Sequence, residues 1–111
     1  MGELKVERAA GVAIVHLPLR VDVSNAKSLL DCLKMELGHS PEQVKIDLSA
    51  TQTLDSTALG VLVEVHKELA RDGGRLVLVA PNQAVSRVLS MTRLDRVLSV
   101  ELRPLGEAAS R

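Results

Sequence analysis

A short, fully apolar segment between two helix-like segments limits the folds open to this chain. The sequence RLVLVA, residues 75–80, has apolar side chains at five successive positions and is bounded by Gly73-Gly74 and Pro81. A strand without a polar face is covered on both sides, which is typical of the interior of a parallel sheet. The segment is therefore predicted to lie in the centre of a sheet.

The other segments alternate between strand and helix periodicity. Two short strands around Ala10-Gly11 predict a hairpin, residues 44–48 and 96–100 predict further strands, and residues 50–54 are a connection. Three segments have helical spacing, with apolar faces at Ala26, Leu29, Leu30, Leu33 and Leu37, at Leu59, Leu62, Val63, Leu69 and Ala70, and at Ala84, Val85, Val88 and Leu89. Right-handed crossovers between such strands give an α/β sandwich in which helices pack against a mixed sheet.

Length and composition predict one globular domain. The 111 residues are 46% apolar and 25% charged, enough to bury a core without disulfides. We expect this core to span about residues 4–100, with residues 104–111 as a loose tail. The single cysteine and the absence of a signal-like N-terminus predict a cytoplasmic protein. No apolar stretch approaches the ~20 residues needed to cross a bilayer, so no direct membrane insertion is expected.

The balance of charge argues against nucleic acid as a partner. The chain has 14 basic and 14 acidic residues, so no electrostatic excess attracts it to phosphate backbones. It also lacks Phe, Trp and Tyr, on which unpaired bases usually stack. We expect no nucleic-acid partner.

An acidic residue and two hydroxyls stand where the second helix begins, in the sequence DSTALG, residues 55–60. On local pattern alone, Asp55 or Ser56 can cap the helix by accepting a hydrogen bond from a backbone N–H group. The same residues can instead form a chemical site that the helix presents. Ser56 lacks the strand-turn-helix setting of a hydrolase nucleophile, and no His, Cys or Asp group has metal-ligand spacing. We therefore predict no catalytic residue, metal or cofactor.

The order of these elements resembles the STAS domain, specifically the small anti-sigma factor antagonists built from that domain alone. The strand VKIDLS, the DSTALG motif, a long helix ending in Gly-Gly and the strand RLVLVA follow one another as in that family. The stretches LPLRVDVSNA and LVAPNQAVSRVLSMTRLDRVL extend the resemblance over about residues 4–100. The family motif usually reads Asp-Ser-Ser/Thr-Gly-Leu-Gly, and Ala58 here replaces its first glycine. The extra methyl is expected to reach any partner surface.

The resemblance implies a non-enzymatic regulator that binds an anti-sigma factor serine/threonine kinase and thereby frees a sigma factor. It implies phosphorylation of Ser56 by that kinase, which switches the protein off, and a phosphatase that acts on phospho-Ser56. The implied partner-binding surface consists of Asp22, Asp55, Ser56 and Thr57. Two other STAS roles stay open: the STAS subunit of a phospholipid-trafficking ABC transporter, and a stressosome-type scaffold.

Overall fold

The computed structural model describes residues 4–105, which form seven strands, three α-helices and one 3₁₀ turn. The strands are β1 (Lys5–Ala9), β2 (Val12–His16), β3 (Arg20–Val21), β4 (Gln43–Asp47), β5 (Thr53–Leu54), β6 (Arg75–Val79) and β7 (Ser99–Glu101). The helices are α1 (Ala26–Leu37), α2 (Ser56–Arg71) and α3 (Gln83–Met91), and the 3₁₀ turn is Leu94–Arg96.

Five strands form a mixed sheet in the order β1-β2-β4-β6-β7. β1 and β2 pair antiparallel as the predicted hairpin, and all other neighbours in this sheet are parallel. Each parallel crossover steps in the same direction across the sheet, so right-handed connections place all three helices on one face. The mixed α/β sheet with an N-terminal hairpin and helices on one face is confirmed.

β6 lies between β4 and β7, and residues 76–79 are all buried, as the apolar pattern predicts. Leu76 and Leu78 join the core beneath the helices. Val77 and Val79 alternate with them and lie on the opposite face, where their cross-strand neighbours include Lys45 and Asp47. Among residues 4–105 no helix covers that face, and charged side chains from the neighbouring strand share it with the two valines.

The buried faces of α2 and α3 differ from the predicted ones. In α2, Ala70 is exposed, whereas Val61 and Val65 are buried, because the helix packs against both α1 and the sheet and its buried stripe is rotated toward them. In α3, Ala84 is exposed, and only Val85 and Leu89 are buried. Since α3 covers the edge of the sheet, it needs only a narrow apolar stripe.

The connection predicted over residues 50–54 contains β5, which pairs in parallel with β3 as a separate two-stranded sheet. Strands of two residues have no periodicity to detect, so the sequence could not reveal them. Most of the predicted tail, residues 106–111, lies outside the described residues. Within residues 4–105, no helix has the length and apolar character required to span a membrane.

Candidate functional site

Asp55 caps the start of α2. Its backbone is extended, and its Oδ1 accepts a hydrogen bond of 2.9 Å from the backbone N–H of Ala58. This bond satisfies one of the helix-terminal amides that have no partner inside a helix. Of the two residues that the sequence allowed as the cap, Asp55 therefore has this role and Ser56 does not.

Ser56 and Thr57 are the first two residues of α2, and both side chains are exposed. Within the described part of the chain, neither hydroxyl makes a hydrogen bond. The two hydroxyls consequently contribute no hydrogen bond to the described fold. They are available to solvent at the positive end of a long helix, where a negatively charged group is stabilised by the helix dipole.

The second carboxylate oxygen of Asp55 holds a separate loop against the helix start. Oδ2 accepts a hydrogen bond of 3.0 Å from the backbone N–H of Val23, between β3 and α1. The backbone N–H of Asp55 donates to the Val21 carbonyl over 3.2 Å, which continues the pairing of β3 with β5. The loop that carries Asp22 therefore lies beside the start of α2.

Hydrogen bonds fix the shape of the Asp22 loop. Asp22 Oδ1 accepts from the hydroxyl of Ser24 at 2.5 Å and from its backbone N–H at 2.9 Å. The Ser24 hydroxyl, followed by the Ser24 amide, holds the pKa of Asp22 below its usual value, so the side chain is a carboxylate at neutral pH. Asn25 Oδ1 accepts from the Asp22 amide, and Asn25 Nδ2 donates to the Arg20 carbonyl, each at 2.9 Å.

Two exposed apolar side chains lie in the loops beside the start of α2, and an exposed glycine follows Ser56 by one helical turn. Val23 is 74% exposed and Leu19 is 51% exposed, although both are aliphatic. Gly60, one turn after Ser56, is exposed, and a Cβ built on it would have no neighbour within 4 Å. We refer to this region as the switch surface, comprising Leu19, Asp22, Val23, Asp55, Ser56, Thr57 and Gly60.

Ala58 does not contribute to the switch surface. It is fully buried in the hydrophobic core, so the expectation that its methyl would reach a partner is wrong. Its φ is outside the left-handed region, and the helix continues through it without needing a glycine. Replacing glycine by alanine at this position therefore adds core packing and leaves the exposed hydroxyls unchanged.

Thr51 supports the site from below, and sequence reasoning missed it. It is fully buried, and its Oγ1 donates a hydrogen bond of 2.8 Å to the Pro18 carbonyl. Its own carbonyl accepts from Asn82 Nδ2 at 3.2 Å, while Asn82 Oδ1 caps α3 by accepting from Val85 N–H. Thr51 thus joins the end of β2 to the start of α3, next to the loop that leads into Asp55. The sequence shows only a threonine in a polar loop, and its burial is visible only in the structure.

Other reactive groups do not gather into a site. No cluster of three His, Cys, Asp or Glu side chains suited to a metal ion occurs within residues 4–105. Cys32 is half-buried in α1, and burial raises the pKa of its thiol, which keeps it protonated and weakly nucleophilic. The switch surface is therefore the candidate functional site.

Comparisons with known proteins agree with the fold. The sequence matches the STAS domain over residues 3–106. The chain belongs to the STAS domain family.

Three similar proteins carry anti-sigma factor antagonist names. A provisionally named anti-sigma factor antagonist of Thermotoga maritima is 45% identical over 53 residues, which cover 48% of this chain and 47% of that protein. A crystal structure of a provisionally named antagonist from the same organism has a TM-score of 0.85 at 31% identity, covering 95% of this chain and 90% of that one. The anti-sigma F factor antagonist of Paenibacillus polymyxa is 25% identical over 103 residues, covering 88% and 85% of the two chains.

The sequence alignments to the Thermotoga proteins span about half the length of those relatives, 47% and 51%. The superposition of whole folds extends over nearly the whole chain. The relatives found by sequence and those found by fold thus carry the same general name, anti-sigma factor antagonist.

Proposed function

We propose that this protein is an anti-sigma factor antagonist that binds an anti-sigma factor serine/threonine kinase, frees a sigma factor, and is switched off by phosphorylation of Ser56. It acts by binding and not by catalysis. The observation that carries the proposal is the exposed Ser56 hydroxyl at the first residue of α2, while Asp55 performs the capping. A serine that the fold does not use is free to be modified.

Phosphorylation at Ser56 changes the surface without requiring the domain to unfold. The phosphate adds roughly −1.5 to −2 charge and three acceptor oxygens at neutral pH. The helix N-terminus accommodates such a group through its dipole and its free amides. Since the Ser56 hydroxyl has no hydrogen bond within the described residues, its modification breaks none.

The neighbouring carboxylates strengthen the effect of the phosphate on a bound partner. Asp55 and Asp22 place negative charge at the helix start and in the loop beside it. A partner packed against this region would have to desolvate the phosphate next to two carboxylates. Its affinity should therefore fall when Ser56 is phosphorylated.

The exposed apolar groups supply the contact area for the unmodified state. Val23 and Leu19 are exposed to solvent. Asp55 holds the loop of Val23, and the Leu19 carbonyl accepts hydrogen bonds from the segment that leads into β5. Gly60 has no side chain on the adjacent turn of α2, so a partner backbone can approach Ser56 closely. This combination of apolar contacts around a modifiable hydroxyl is what a reversible protein interface requires.

Mass spectrometry of the intact protein after incubation with ATP and serine kinases from its own genome tests the proposal. We expect one added phosphoryl group, assigned to Ser56 by peptide mapping, present in Thr57→Ala and absent from Ser56→Ala. A phosphatase from the same genome should remove it. Phosphorylation that persists in Ser56→Ala would contradict the assignment of the switch residue. Binding to a transporter ATPase without modification would support the ABC-transporter role instead.

A further inference from the structure

Side-chain hydrogen bonds hold the loop between β3 and α1. Side-chain oxygens accept from three successive backbone N–H groups: Asn25 Oδ1 from Asp22 at 2.9 Å, Asp55 Oδ2 from Val23 at 3.0 Å, and Asp22 Oδ1 from Ser24 at 2.9 Å. The next N–H, that of Asn25, donates to the Asp22 carbonyl at 3.1 Å. Four successive backbone amides therefore have acceptors, which fixes the path of the loop.

Val23 is the member of residues 22–25 whose side chain has no part in this network. Asp22, Ser24 and Asn25 are residue types that form turns by hydrogen bonding to nearby backbone groups. Valine is instead typical of strands, and the Val23 side chain is 74% exposed. Val21, two residues earlier, is 1% exposed and lies in the core. Burial within this domain therefore explains the valine at position 21 and not the one at position 23.

The rigid backbone of this loop makes the Val23 side chain a favourable contact for another protein. Valine has a single side-chain torsion, which its β-branch restricts, and the loop is already ordered by hydrogen bonds. Little conformational freedom is lost when such a side chain is bound. Moving its methyl groups from water into an apolar pocket is favourable in itself.

Asp55 places this side chain beside the proposed site of modification. Its Oδ2 holds the Val23 amide, while its Oδ1 caps the helix whose first residue is Ser56. One carboxylate thus joins the loop to the start of α2. A partner that covers Val23 therefore also lies next to the start of α2.

We propose that Val23 is the anchor residue by which the partner kinase recognises this protein, and that the kinase has an apolar pocket for its side chain. Asn25 and Asp55 are positioning residues that hold Val23 in place. This inference rests on the proposed function and divides two tasks: Val23 contributes affinity, and Ser56 controls it. Because the Val23 contact is equal before and during phosphoryl transfer, its loss should raise KM and leave kcat unchanged.

Binding without ATP and the kinetics of Ser56 phosphorylation test the proposal, with the serine kinase from the same genome that modifies Ser56. Val23→Thr keeps the shape of the side chain and adds a hydroxyl that is costly to bury in an apolar pocket. We expect Kd without ATP and KM with ATP to rise about tenfold or more, with kcat and the urea midpoint unchanged. Val97→Thr is the matched control, because Val97 is 52% exposed after the 3₁₀ turn, and it should behave as the wild type.

A double-mutant cycle distinguishes the positioning role of Asn25 from a general effect on stability. Asn25→Ala removes the acceptor for the Asp22 N–H and the donor to the Arg20 carbonyl, so it should weaken binding and shift the Val23 amide resonance. In the Val23→Thr background the same change should cost little further affinity, because its effect acts through Val23. A loss of stability alone would lower affinity by the same factor in both backgrounds.

Three results would overturn the proposal in different ways. Wild-type Kd and KM for Val23→Thr would remove the anchor role and leave phosphorylation of Ser56, and with it the proposed function, intact. Equal losses from Asn25→Ala in both backgrounds would remove the positioning role. If no serine kinase of the genome binds or phosphorylates the wild type, the proposed function fails and this inference fails with it.

Discussion

At the scale of single residues, one carboxylate organises the candidate site. Asp55 accepts from Ala58 through Oδ1 and from Val23 through Oδ2, and the second contact joins backbone segments 32 residues apart. A neutral serine or threonine cap has one side-chain oxygen and could satisfy only the helix. The aspartate of the motif thus explains both the regular start of α2 and the position of the Asp22 loop.

Replacing Asp55 should separate these two contacts. Asp55→Ala removes both acceptors, and we expect the free energy of unfolding to fall by about 1–2 kcal/mol. Asp55→Asn keeps one oxygen for the Ala58 amide and should lose less, while releasing the Val23 loop. Urea denaturation measures the stability, and the Val23 amide resonance reports the loop. An unchanged stability for Asp55→Ala would contradict the capping role.

Gly60 should be a position where stability and function are opposed. A Cβ there has no neighbour within 4 Å, so Gly60→Ala should raise the free energy of unfolding by about 1 kcal/mol through helix propensity alone. The same methyl is expected to weaken kinase binding at the switch surface.

Gly74→Ala is the matched control, because its Cβ would lie 3.0 Å from a Leu69 methyl and 3.1 Å from the Pro41 carbonyl and should destabilise the fold. Urea denaturation of both variants measures the two effects, and a destabilised Gly60→Ala would show that the position is more crowded than the structure indicates.

At the scale of elements, periodicity allowed much of the fold to be predicted. The long helices and the buried strand β6 follow from apolar spacing, because burial on one or both faces imposes that spacing. The β3–β5 pair and the support from Thr51 could not be predicted, since they depend on contacts between distant segments. The same limit applies to Ala58, whose orientation follows from how α2 packs and not from the local motif.

Thr51 offers a test of this distant support. Thr51→Val keeps the size of the side chain but leaves the half-buried Pro18 carbonyl without its donor, so we expect a loss of about 1–2 kcal/mol in the free energy of unfolding. Thr51→Ser retains the hydroxyl and should lose less. Chemical denaturation of the two variants separates the hydrogen bond from the packing. A loss for serine equal to or larger than that for valine would show that the methyl group, and not the hydroxyl, stabilises the loop.

At the scale of the whole molecule, side-chain pairs join elements around a sheet whose helices, within residues 4–105, lie on one face. His16 Nδ1 lies 2.6 Å from Asp47 Oδ2, and Lys45 pairs with Glu101 at 3.7 Å on the helix-free face. At the other edge, Arg8 of β1 binds buried Glu36 of α1 through two hydrogen bonds of 2.7 and 2.8 Å. The Arg8 and Glu101 pairs connect the two edge strands, β1 and β7, to the rest of the domain, and the His16 contact joins β2 to β4.

The pair of Arg8 with Glu36 should make stability depend on pH in the acid range. The hydrogen bond from Arg8 lowers the pKa of Glu36 despite its burial, so the unfolded chain binds this proton more readily than the folded one. The contribution is complete above the ordinary glutamate pKa and is lost as pH falls through the lowered one. Glu36→Gln and Arg8→Gln should both flatten the rise of stability from acid to neutral pH, as measured by urea midpoints. Parallel curves for the wild type and Glu36→Gln would contradict this.

The lifetime of the complex with the cognate anti-sigma kinase shows whether phosphorylation of Ser56 controls partner binding. After ATP is added to the preformed complex, the wild type should dissociate and Ser56→Ala should remain bound. Without ATP, Ser56→Glu should bind roughly tenfold more weakly or worse, because its carboxylate stands beside Asp55. Release of Ser56→Ala at the wild-type rate would show that Ser56 is not the switch residue.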